Sequence, residues 1–362
     1  MKKVLLSIVS LSGGGAERVV SVWANKLQNE GYDVSLLLYG RNEKEYPIDP
    51  AIAVHTVAAD YQSFQALSYF KRVERMRSIV KKIKPDVMIS FLPRMQIWMM
   101  LATWGIRLRR LETVRVSPWN ACGAGRIEQW LWKKCFSRSD AVIVQTAEQA
   151  EFFKPRIQKK SIVIPNPISQ QYQEHPKQMY LESVTRFVAA GRITEQKNYP
   201  IMIEAFQRAC DQCEHIRLEI YGTGEESYIS EIQKKIDDAN LSSKIKLMGR
   251  TTDMQSVYHG ADAFLMTSDY EGMPNALVEA MVSGLVCIST DCRTGPKDLI
   301  DDEKNGFLVK VGDAENIAEA IRKVAGMSQA ECEAMGKQAR EKILNLCSEE
   351  NSLQRLIQVI EG

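Results

Sequence analysis

The sequence has no apolar run as long as the roughly 18 residues that a membrane-spanning helix needs. It has only four histidines, and its eight cysteines are scattered through 362 residues. Cys210 and Cys213 form the closest cysteine pair, but no second pair accompanies them, so a zinc or redox site is not indicated. Scattered cysteines in a long chain are typical of free thiols in a reducing compartment. We therefore expect no metal and no other cofactor.

A secretory leader is not indicated either. Met1–Ser12 carries two lysines and a short apolar run, but no convincing small-residue cleavage site follows. The hydrophobic fraction of 45% and the charged fraction of 25% are those of a globular protein. We expect a cytoplasmic protein, and its length predicts two domains.

The net charge of +2 conceals an uneven distribution. Residues 1–168 contain 26 Lys and Arg against 14 Asp and Glu, a balance of +12. Residues 169–362 contain 21 against 31, a balance of −10. A basic and an acidic half predict different partners for the two halves. No nucleic-acid-binding motif accompanies the basic half, so we expect no nucleic acid among the partners.

Short apolar runs alternate with amphipathic helical segments, which predicts an α/β protein whose parallel sheets are covered by helices. Pro165-Asn166-Pro167 interrupts the pattern, and a polar stretch follows to about Tyr180. We therefore divide the chain into domains at 1–168 and 169–345. Strands are predicted at 4–9, 33–39, 52–57, 86–91, 112–116, 140–145 and 161–164, and then at 186–190, 216–221, 244–248, 261–268, 285–289 and 306–309.

A glycine-rich turn, Ser12-Gly13-Gly14-Gly15, joins the first strand to an amphipathic helix. Glycines let the backbone approach an anion, and the start of a helix offers N–H groups and a partial positive charge. Arg18 stands where the dinucleotide fingerprint has its third glycine, and the Gly-Lys-Ser/Thr of a P-loop is missing. We expect Gly14 and Gly15 to lie near a phosphate, although a simple tight turn is the alternative.

Arg192 and Lys197 lie in the loop after the first strand of the second domain. Ligands of open α/β sheets bind at the carboxyl ends of strands, so these two cations are candidates for binding a diphosphate. The alternative is two solvated surface charges.

Glu271 and Glu279 belong to the most specific stretch, which joins the strand 261–268 to a helix near 275–283. Glu271 is placed to accept bonds from sugar hydroxyls, and the N–H groups that open the helix are placed for phosphates. Glu279 is placed for the two hydroxyls of a ribose. The alternative for Glu279 is a surface carboxylate favoured by the helix dipole.

The spacing Glu271-x7-Glu279, with Gly-Met-Pro-Asn-Ala after the first glutamate, resembles the E-x7-E motif of retaining glycosyltransferases of family 4. Further segments resemble that family in the same order along about residues 1–345: Gly14-Gly15-Ala16-Glu17, Arg192 with Lys197, Gly222-Thr-Gly224, Gly249-Arg250, and Thr294-Gly295-Pro296-Lys297-Asp298. The last resembles a Gly-Pro-Arg-Glu variant of members that build bacterial surface polysaccharides. The fold implied is GT-B, with two doubly wound Rossmann-like domains facing an interdomain cleft.

The resemblance implies a reaction as well as a fold. A sugar would pass with retention from a nucleoside diphosphate sugar, a UDP-sugar being favoured, to a glycan or polyprenyl-linked acceptor, without a metal. A final helix at about 346–362 would pack back onto the N-terminal domain. Catalytic roles are implied for Glu271, Arg192 and Lys197, and donor binding for Gly14, Gly15, Arg250, Met273, Pro274, Asn275, Ala276 and Glu279.

The sequence departs from the family pattern on the acceptor side. Many members carry a histidine in the loop after the strand equivalent to 112–116, but none of His55, His175, His215 and His259 falls there. That loop reads Arg115-Val-Ser117-Pro-Trp-Asn120. Ser117 or Asn120 is therefore the candidate replacement, unless the role is absent.

Three segments of the basic half combine cations with aromatic or apolar residues: 71–84, 95–110 and 130–134. Cations beside tryptophan suit an anionic leaflet, which predicts peripheral contact with the inner face of the cell membrane. The alternative is a solvated helix face and ordinary core.

Two other functions are compatible with this fold. A nucleotide-sugar epimerase would consume donor without an acceptor, and a catalytically silent sugar-binding protein would never release nucleoside diphosphate. The E-x7-E spacing and the donor-side residues favour a transferase over both.

Overall fold

The computed structural model describes residues 1–12, 14–40, 45–121, 125–174, 177 and 184–362. Gly13, Cys122, His175 and most of the polar stretch before residue 184 lie outside these ranges. The chain divides into two compact units, one formed by 1–167 with 349–362 and the other by 168–348. Each unit is built on its own β-sheet.

The first unit has a seven-stranded parallel sheet among its described residues. Its order is β3-β2-β1-β4-β5-β6-β7, where the strands are β1 (Lys3–Ser7), β2 (Asp33–Leu38), β3 (Ala53–Thr56), β4 (Val87–Ser90), β5 (Arg109–Thr113), β6 (Ala141–Val144) and β7 (Ser161–Val163).

The second unit has a six-stranded parallel sheet within the ranges described. Its order is β10-β9-β8-β11-β12-β13, where the strands are β8 (Arg186–Ala190), β9 (Arg217–Tyr221), β10 (Ile245–Gly249), β11 (Ala263–Met266), β12 (Val286–Thr290) and β13 (Phe307–Val309).

Helices connect and cover these strands. They are α1 (Gly15–Asn29), α2 (Tyr61–Ala66), α3 (Tyr69–Ile83), α4 (Pro93–Ala102), α5 (Arg126–Arg138), α6 (Ala147–Glu151), α7 (Pro155–Gln158), α8 (Gln170–Glu174), α9 (Tyr199–Cys210), α10 (Glu226–Asp238), α11 (Met254–Gly260), α12 (Asn275–Ser283), α13 (Pro296–Leu299), α14 (Ala314–Ala325), α15 (Gln329–Cys347) and α16 (Glu349–Glu361). In the described ranges, none of them is long and apolar enough to cross a bilayer.

Both faces of each sheet are buried. Val4 and Leu6 of β1 belong to one core cluster and Leu5, which points to the opposite face, to another. Phe187 and Val188 of β8 divide between two clusters in the same way. A strand that is covered on both faces needs apolar side chains at every position, which is why these strands are continuous apolar runs in the sequence. The predicted α/β class is confirmed.

All thirteen predicted strands occur in the described part of the chain, and one of them was placed wrongly. The strand expected at 112–116 is β5, which begins at Arg109 and ends at Thr113. Arginines are unusual at the start of a buried strand. Here Arg110 donates to the backbone carbonyls of Thr103 and Ile106, both at 2.8 Å, which satisfies its guanidinium. Arg115 therefore lies beyond the strand, in the loop that follows it.

The last helix completes the first unit. Leu353 and Leu356 of α16 join the same core cluster as residues of α1 and β1. Trp23 of α1 donates to the Ser352 hydroxyl at 3.1 Å, and the Lys2 ammonium lies 2.7 Å from the Glu361 carboxylate. The first unit thus consists of two segments of chain that are far apart in sequence.

Candidate active site

The loops that follow β8 and β11 form the centre of the candidate site. These strands are parallel neighbours, so their loops, 191–198 and 267–274, leave the sheet at the same edge. Ligands of open α/β sheets bind at that edge. The predicted site residues Arg192, Lys197 and Glu271 all lie in these two loops.

The two loops are joined by hydrogen bonds. The Asp269 amide donates to the Gln196 carbonyl at 2.9 Å, and the Gln196 side-chain amide donates to the Tyr270 carbonyl at 2.7 Å. The Thr267 hydroxyl donates to the Lys197 carbonyl at 3.1 Å. Asn198 has a left-handed backbone with φ of 48°. Its side-chain amide donates to the Asp269 carboxylate at 2.8 Å. The two loops are therefore fixed against each other.

Lys197 and Glu271 form an ion pair in which Nζ lies 2.6 Å from Oε1. Their side chains are 16% and 9% exposed, so both charges are largely removed from water. Removing one partner of a buried pair leaves the other charge without compensation, which costs about 3–5 kcal/mol. The structure thus brings together two of the three residues predicted to be catalytic.

The Glu271 carboxylate influences its titratable neighbours. Burial raises the pKa of the Tyr199 hydroxyl, and the negative charge of Glu271 raises it further. Burial and the same charge raise the pKa of the Cys292 thiol to about 12, against an opposing effect of Lys197. Both groups therefore stay protonated at neutral pH.

Glu279 lies on α12, in the fifth of its nine positions, and is buried. The Tyr258 hydroxyl lies 3.4 Å from its Oε2 and 3.4 Å from the Ala276 carbonyl. A buried carboxylate beside a tyrosine hydroxyl is a strong acceptor for further hydroxyls. The interpretation of Glu279 as a solvated surface residue is therefore wrong.

The start of α12 is suited to an anion. Pro274 is its N-cap residue, and a proline side chain cannot cap the first N–H groups. Met273 before it is buried, and Asn275 and Ala276 open the helix. Helix starts favour phosphates because N–H groups and the helix dipole act together.

Arg192 and Arg250 are exposed, and among the described residues neither has an ion pair or a side-chain hydrogen bond. The loops that carry them are nevertheless close-packed on the loop between them. A Cβ on Gly222 would lie 1.8 Å from the Gly191 carbonyl oxygen, and the Gly222 amide donates to the Gly249 carbonyl at 2.8 Å. The structure places both arginines at the carboxyl edge of the second sheet, and a Cβ on Gly191, the residue before Arg192, would lie 3.0 Å from Cε of Lys197.

In the first unit, Gly14 is the N-cap residue of α1 and Gly15 begins the helix. A Cβ on Gly14 would lie 2.0 Å from Oε2 of Glu17, so a carboxylate already covers this turn. A carboxylate in that place repels a phosphate, so the predicted phosphate contact at Gly14 and Gly15 requires the Glu17 side chain to turn aside.

The acceptor-side candidates Ser117 and Asn120 are hydrogen-bonded to each other. The Ser117 hydroxyl donates to Oδ1 of Asn120 at 2.9 Å, and the Asn120 amide donates to the Ser117 carbonyl at 3.1 Å. Ser117 is buried and Asn120 exposed. The pair forms a compact turn with one amide side chain facing solvent.

Arg115, in the same loop, is a buried cation that sequence reasoning missed. Its guanidinium lies 4.5 Å from the centre of the Trp23 ring, and its Nη1 donates to Oδ1 of Asn166 at 3.0 Å. Gln145 donates to the same oxygen at 2.8 Å. Within the described ranges, Nε and Nη2 of Arg115 have no hydrogen-bond partner. Burial lowers the pKa of Arg115.

Helices α3 and α4 leave a shallow apolar groove of about 440 Å³ on the surface of the first unit. Of its lining residues, Tyr69, Phe70 and Trp104 are 73%, 78% and 59% exposed. Trp132 and most of the apolar run 95–102 are instead buried in the core, so the sequence-based membrane hypothesis was wrong for them. We call this the α3–α4 groove; it is lined by Tyr69, Phe70, Val73, Trp98, Leu101 and Trp104.

No three His, Cys, Asp or Glu side chains within the described ranges are grouped so that they could hold a metal ion. Cys210 and Cys213 are free thiols, and Cys210 is buried. The charged groups at the carboxyl edge of the second sheet include Lys197, Glu271, Glu279, Arg192 and Arg250.

Family models cover most of the chain. Residues 13–172 match the model described as Glycosyltransferase Family 4, and residues 173–342 match the one described as Glycosyl transferases group 1. The change from one model to the other, after residue 172, lies close to the boundary between the two units at 167–168.

Named relatives and a solved structure agree with these models. The amylovoran biosynthesis glycosyltransferase AmsD of Erwinia amylovora is 27% identical over 319 residues, which are 85% of this chain and 86% of that protein. A Campylobacter jejuni GalNAc-α-(1→4)-GalNAc-α-(1→3)-diNAcBac-PP-undecaprenol α-1,4-N-acetyl-D-galactosaminyltransferase is 25% identical over 329 residues, 90% of this chain and 89% of that one. The structure of Anabaena HepE in complex with UDP-glucose superposes with a TM-score of 0.82, at 16% identity and 100% coverage of both chains.

Proposed function

Because the chain belongs to the glycosyltransferases of family 4 and has their GT-B fold, we propose that it transfers a sugar from a UDP-sugar to a glycan or polyprenyl-linked acceptor, with retention of configuration. The product is an α-glycosidic bond in a bacterial surface polysaccharide or related glycan. We assign donor binding to the second unit and acceptor binding to the first, and we expect the enzyme to act in the cytoplasm.

The observation that carries this proposal is the largely buried Lys197–Glu271 pair beside the start of α12. A diphosphate that binds at the helix start takes up part of the interaction with Lys197. The Glu271 carboxylate then accepts hydrogen bonds from the hydroxyls of the donor sugar. Glu279, already beside the Tyr258 hydroxyl, accepts those of the ribose.

These groups support a reaction on one face of the sugar. The bond between the anomeric carbon and the leaving phosphate oxygen breaks, and the acceptor oxygen bonds to the same carbon from the same side. The acceptor proton passes to the departing diphosphate, so no carboxylate has to act as base. Lys197, the N–H groups of α12 and Arg192 stabilise the charge that develops on the diphosphate. No metal is required for this role.

Similar proteins support the choice of substrates. One structure with this fold contains UDP-glucose, and another, Staphylococcus aureus TarM, contains UDP. The Campylobacter relative is named for an undecaprenyl diphosphate-linked acceptor. We therefore favour a UDP-sugar and an acceptor linked to a polyprenyl diphosphate.

A nucleotide screen followed by a transfer assay tests this function. UDP-, GDP- and ADP-sugars are first compared for thermal stabilisation of the protein, and the best donor is then incubated with lipid-linked glycans. We expect release of nucleoside diphosphate only when an acceptor is present. Conversion of the donor to an isomer without an acceptor would identify an epimerase. Binding without any release would identify a silent sugar-binding protein.

We further propose that the first unit rests on an anionic bilayer through the α3–α4 groove. Helix α3 carries six Lys and Arg against one Glu, so this surface complements anionic lipid. The Arg138 guanidinium lies 3.9 Å from the centre of the Trp104 ring, which places a cation beside an exposed aromatic. Surface cations each contribute about 1 kcal/mol to such binding.

Co-sedimentation with vesicles tests the bilayer contact. We expect the protein to sediment with vesicles that contain phosphatidylglycerol, and to do so less at high salt. Neutral phosphatidylcholine vesicles are the comparison. The double substitution Phe70→Ser with Trp104→Ser removes the exposed aromatics and should abolish sedimentation. Equal binding to both vesicle types, or unchanged binding by the double variant, would contradict the proposal.

A further inference from the structure

Thr294 combines three properties that rarely occur together. It lies in the loop between β12 and α13, it is completely buried, and its backbone is left-handed with φ of 67°. A β-branched side chain in the left-handed region is a true conformational outlier, because the branch crowds the backbone. Outliers of this kind persist where the surrounding structure holds them in place, and they cluster at functional sites.

The Thr294 hydroxyl donates a hydrogen bond to the backbone carbonyl of Glu271. The next residue, Gly295, packs on the loop that follows Glu271. A Cβ on Gly295 would lie 2.7 Å from Cδ of Pro274 and 3.0 Å from the Gly272 carbonyl oxygen. Arg293, the residue before, forms a parallel β-bridge with Tyr270. The segment 293–295 therefore supports the loop 270–274 along its length.

The position of the Glu271 carboxylate thus depends on contacts from two sides. Lys197 holds the side chain through the ion pair, and Thr294 holds the main chain through its hydroxyl. Glu271 is buried, and a buried carbonyl that loses its donor shifts to find another. A small shift of the main chain at Glu271 would move its carboxylate away from the donor sugar.

Glycine or asparagine would adopt this backbone more easily than threonine. The sequence instead keeps a residue whose hydroxyl is the group in contact with Glu271. The hydroxyl therefore explains why the strain is retained, whereas a purely structural turn would be better served by glycine.

We propose that Thr294 is a positioning residue for the transferase reaction, whose strained backbone directs a hydroxyl at the Glu271 carbonyl and so fixes the carboxylate that binds the donor sugar. This inference rests on the proposed function, because it assigns Glu271 to the sugar. It adds a residue that contacts neither substrate nor diphosphate and yet sets the turnover number.

Three substitutions at Thr294 distinguish the contribution of its hydroxyl to kcat from that of its strained backbone. Thr294→Gly removes both, Thr294→Val keeps the shape and the strain without the hydroxyl, and Thr294→Ser keeps the hydroxyl. We expect kcat to fall about 10- to 100-fold in the glycine and valine variants, the size of effect that a small misplacement near the chemistry produces. The serine variant should stay within about threefold of wild type. The affinity for UDP alone should change little, because UDP lacks the sugar that Glu271 binds and Glu279 and α12 are untouched.

The inference also predicts that the substitutions change kcat and Tm independently of each other. Because it relieves strain, Thr294→Gly should have a Tm equal to or above that of wild type, measured by circular dichroism, while its kcat falls. Thr290→Val is the matched control: Thr290 is also buried, and its hydroxyl donates to the Ser268 carbonyl at 2.7 Å. It should lower Tm with kcat within about threefold of wild type.

Wild-type kcat in Thr294→Gly, or an equal loss of kcat in Thr290→Val, would overturn the inference. Failure of the proposed function has a different signature, because wild-type protein would then release no nucleoside diphosphate with any donor and acceptor.

Discussion

The two units share a doubly wound fold, and each has a cation at the carboxyl edge of its sheet. The two cations differ in whether a carboxylate is their partner. In the second unit, Lys197 follows β8 and forms a 2.6 Å ion pair with Glu271. In the first unit, Arg115 follows β5, stacks on Trp23 and donates to the neutral amide of Asn166. No carboxylate accompanies Arg115 among the described residues.

This difference distinguishes Lys197, which we propose binds a ligand, from Arg115, whose contacts are structural. In the proposed function, an incoming diphosphate partly replaces the anionic partner of Lys197, so the charge of Lys197 remains available at the site. Arg115 is desolvated without a counter-charge, and burial lowers its pKa. Its contacts join the loop after β5 to Asn166, in the Pro165-Asn166-Pro167 segment that leads out of the first unit.

The largest effect is expected at Lys197. In the proposed mechanism, Lys197 stabilises the departing diphosphate, so Lys197→Ala should lower kcat about 100- to 1,000-fold. Steady-state kinetics of nucleotide release measures it. Arg208→Ala is the control, since Arg208 is an exposed cation on α9 of the same unit that pairs with Glu204 and Glu315, and it should leave kcat unchanged. A Lys197→Ala enzyme with wild-type kcat would remove Lys197 from the mechanism.

The next effect is expected at Glu279, on the binding of the donor. Glu279→Ala removes a charged acceptor for the ribose hydroxyls, which is worth about 1.5–3 kcal/mol, so KM should rise about 10- to 100-fold with a smaller change in kcat. The control is Glu319→Ala on the exposed face of α14. A fall in kcat without a change in KM would assign Glu279 to the chemical step instead.

A smaller effect is expected on the free energy of unfolding, and it has opposite signs for the sites of Arg115 and Lys197. Arg115→Met removes a buried charge that has no counter-charge, so the free energy of unfolding of the first unit should rise by about 1–2 kcal/mol. Glu271→Gln removes the counter-charge of Lys197 but keeps an oxygen that can accept its hydrogen bond, so it should destabilise the second unit by about 1–2 kcal/mol, less than loss of the whole side chain.

Fluorescence separates these two measurements. All six tryptophans lie in the first unit, so denaturant unfolding followed by tryptophan fluorescence reports on Arg115→Met, and circular dichroism reports on Glu271→Gln. Destabilisation by Arg115→Met would mean that the contacts with Trp23 and Asn166 outweigh the cost of burying the charge.

The smallest expected effect is that of a chelator. In the proposed mechanism, Lys197, Arg192 and the start of α12 provide the positive charge that the leaving diphosphate needs, so activity should survive EDTA. The assay compares the rate of nucleotide release before and after dialysis against EDTA, and again after Mg²⁺ is returned. A complete loss that Mg²⁺ restores would contradict the metal-free mechanism.

Much of the fold could be predicted from the sequence because both sheets are parallel and buried on both faces. Continuous apolar runs marked the strands, and α12 has the bounds that were expected. The error at β5 arose because Arg109 and Arg110 begin a strand, and a strand of that kind depends on carbonyl partners that the sequence does not reveal.

The site was only partly predictable. The spacing of Glu271 and Glu279 was enough to predict both as site residues. Lys197 was predicted because it lies in a loop that follows a strand. The contacts of Gln196, Thr267 and Thr294 depend on which strands are neighbours in the sheet, and strand order is not written in the local sequence. Likewise, the apolar composition of the run 95–102 is compatible both with a lipid-facing surface and with a core helix. The structure shows that most of the run is buried in the core.

Helix α16 has a consequence for the order of events during translation. The first unit needs Leu353 and Leu356 to cover the core beside α1, but the ribosome makes residues 168–348 before it reaches them. At about 5–20 residues per second, that interval lasts roughly 10 to 40 s. The apolar surface of β1 and α1 therefore remains uncovered in the nascent chain while the second unit is synthesised. The unit that emerges first is the last to be completed, and a chaperone bound to that uncovered surface would be displaced by α16.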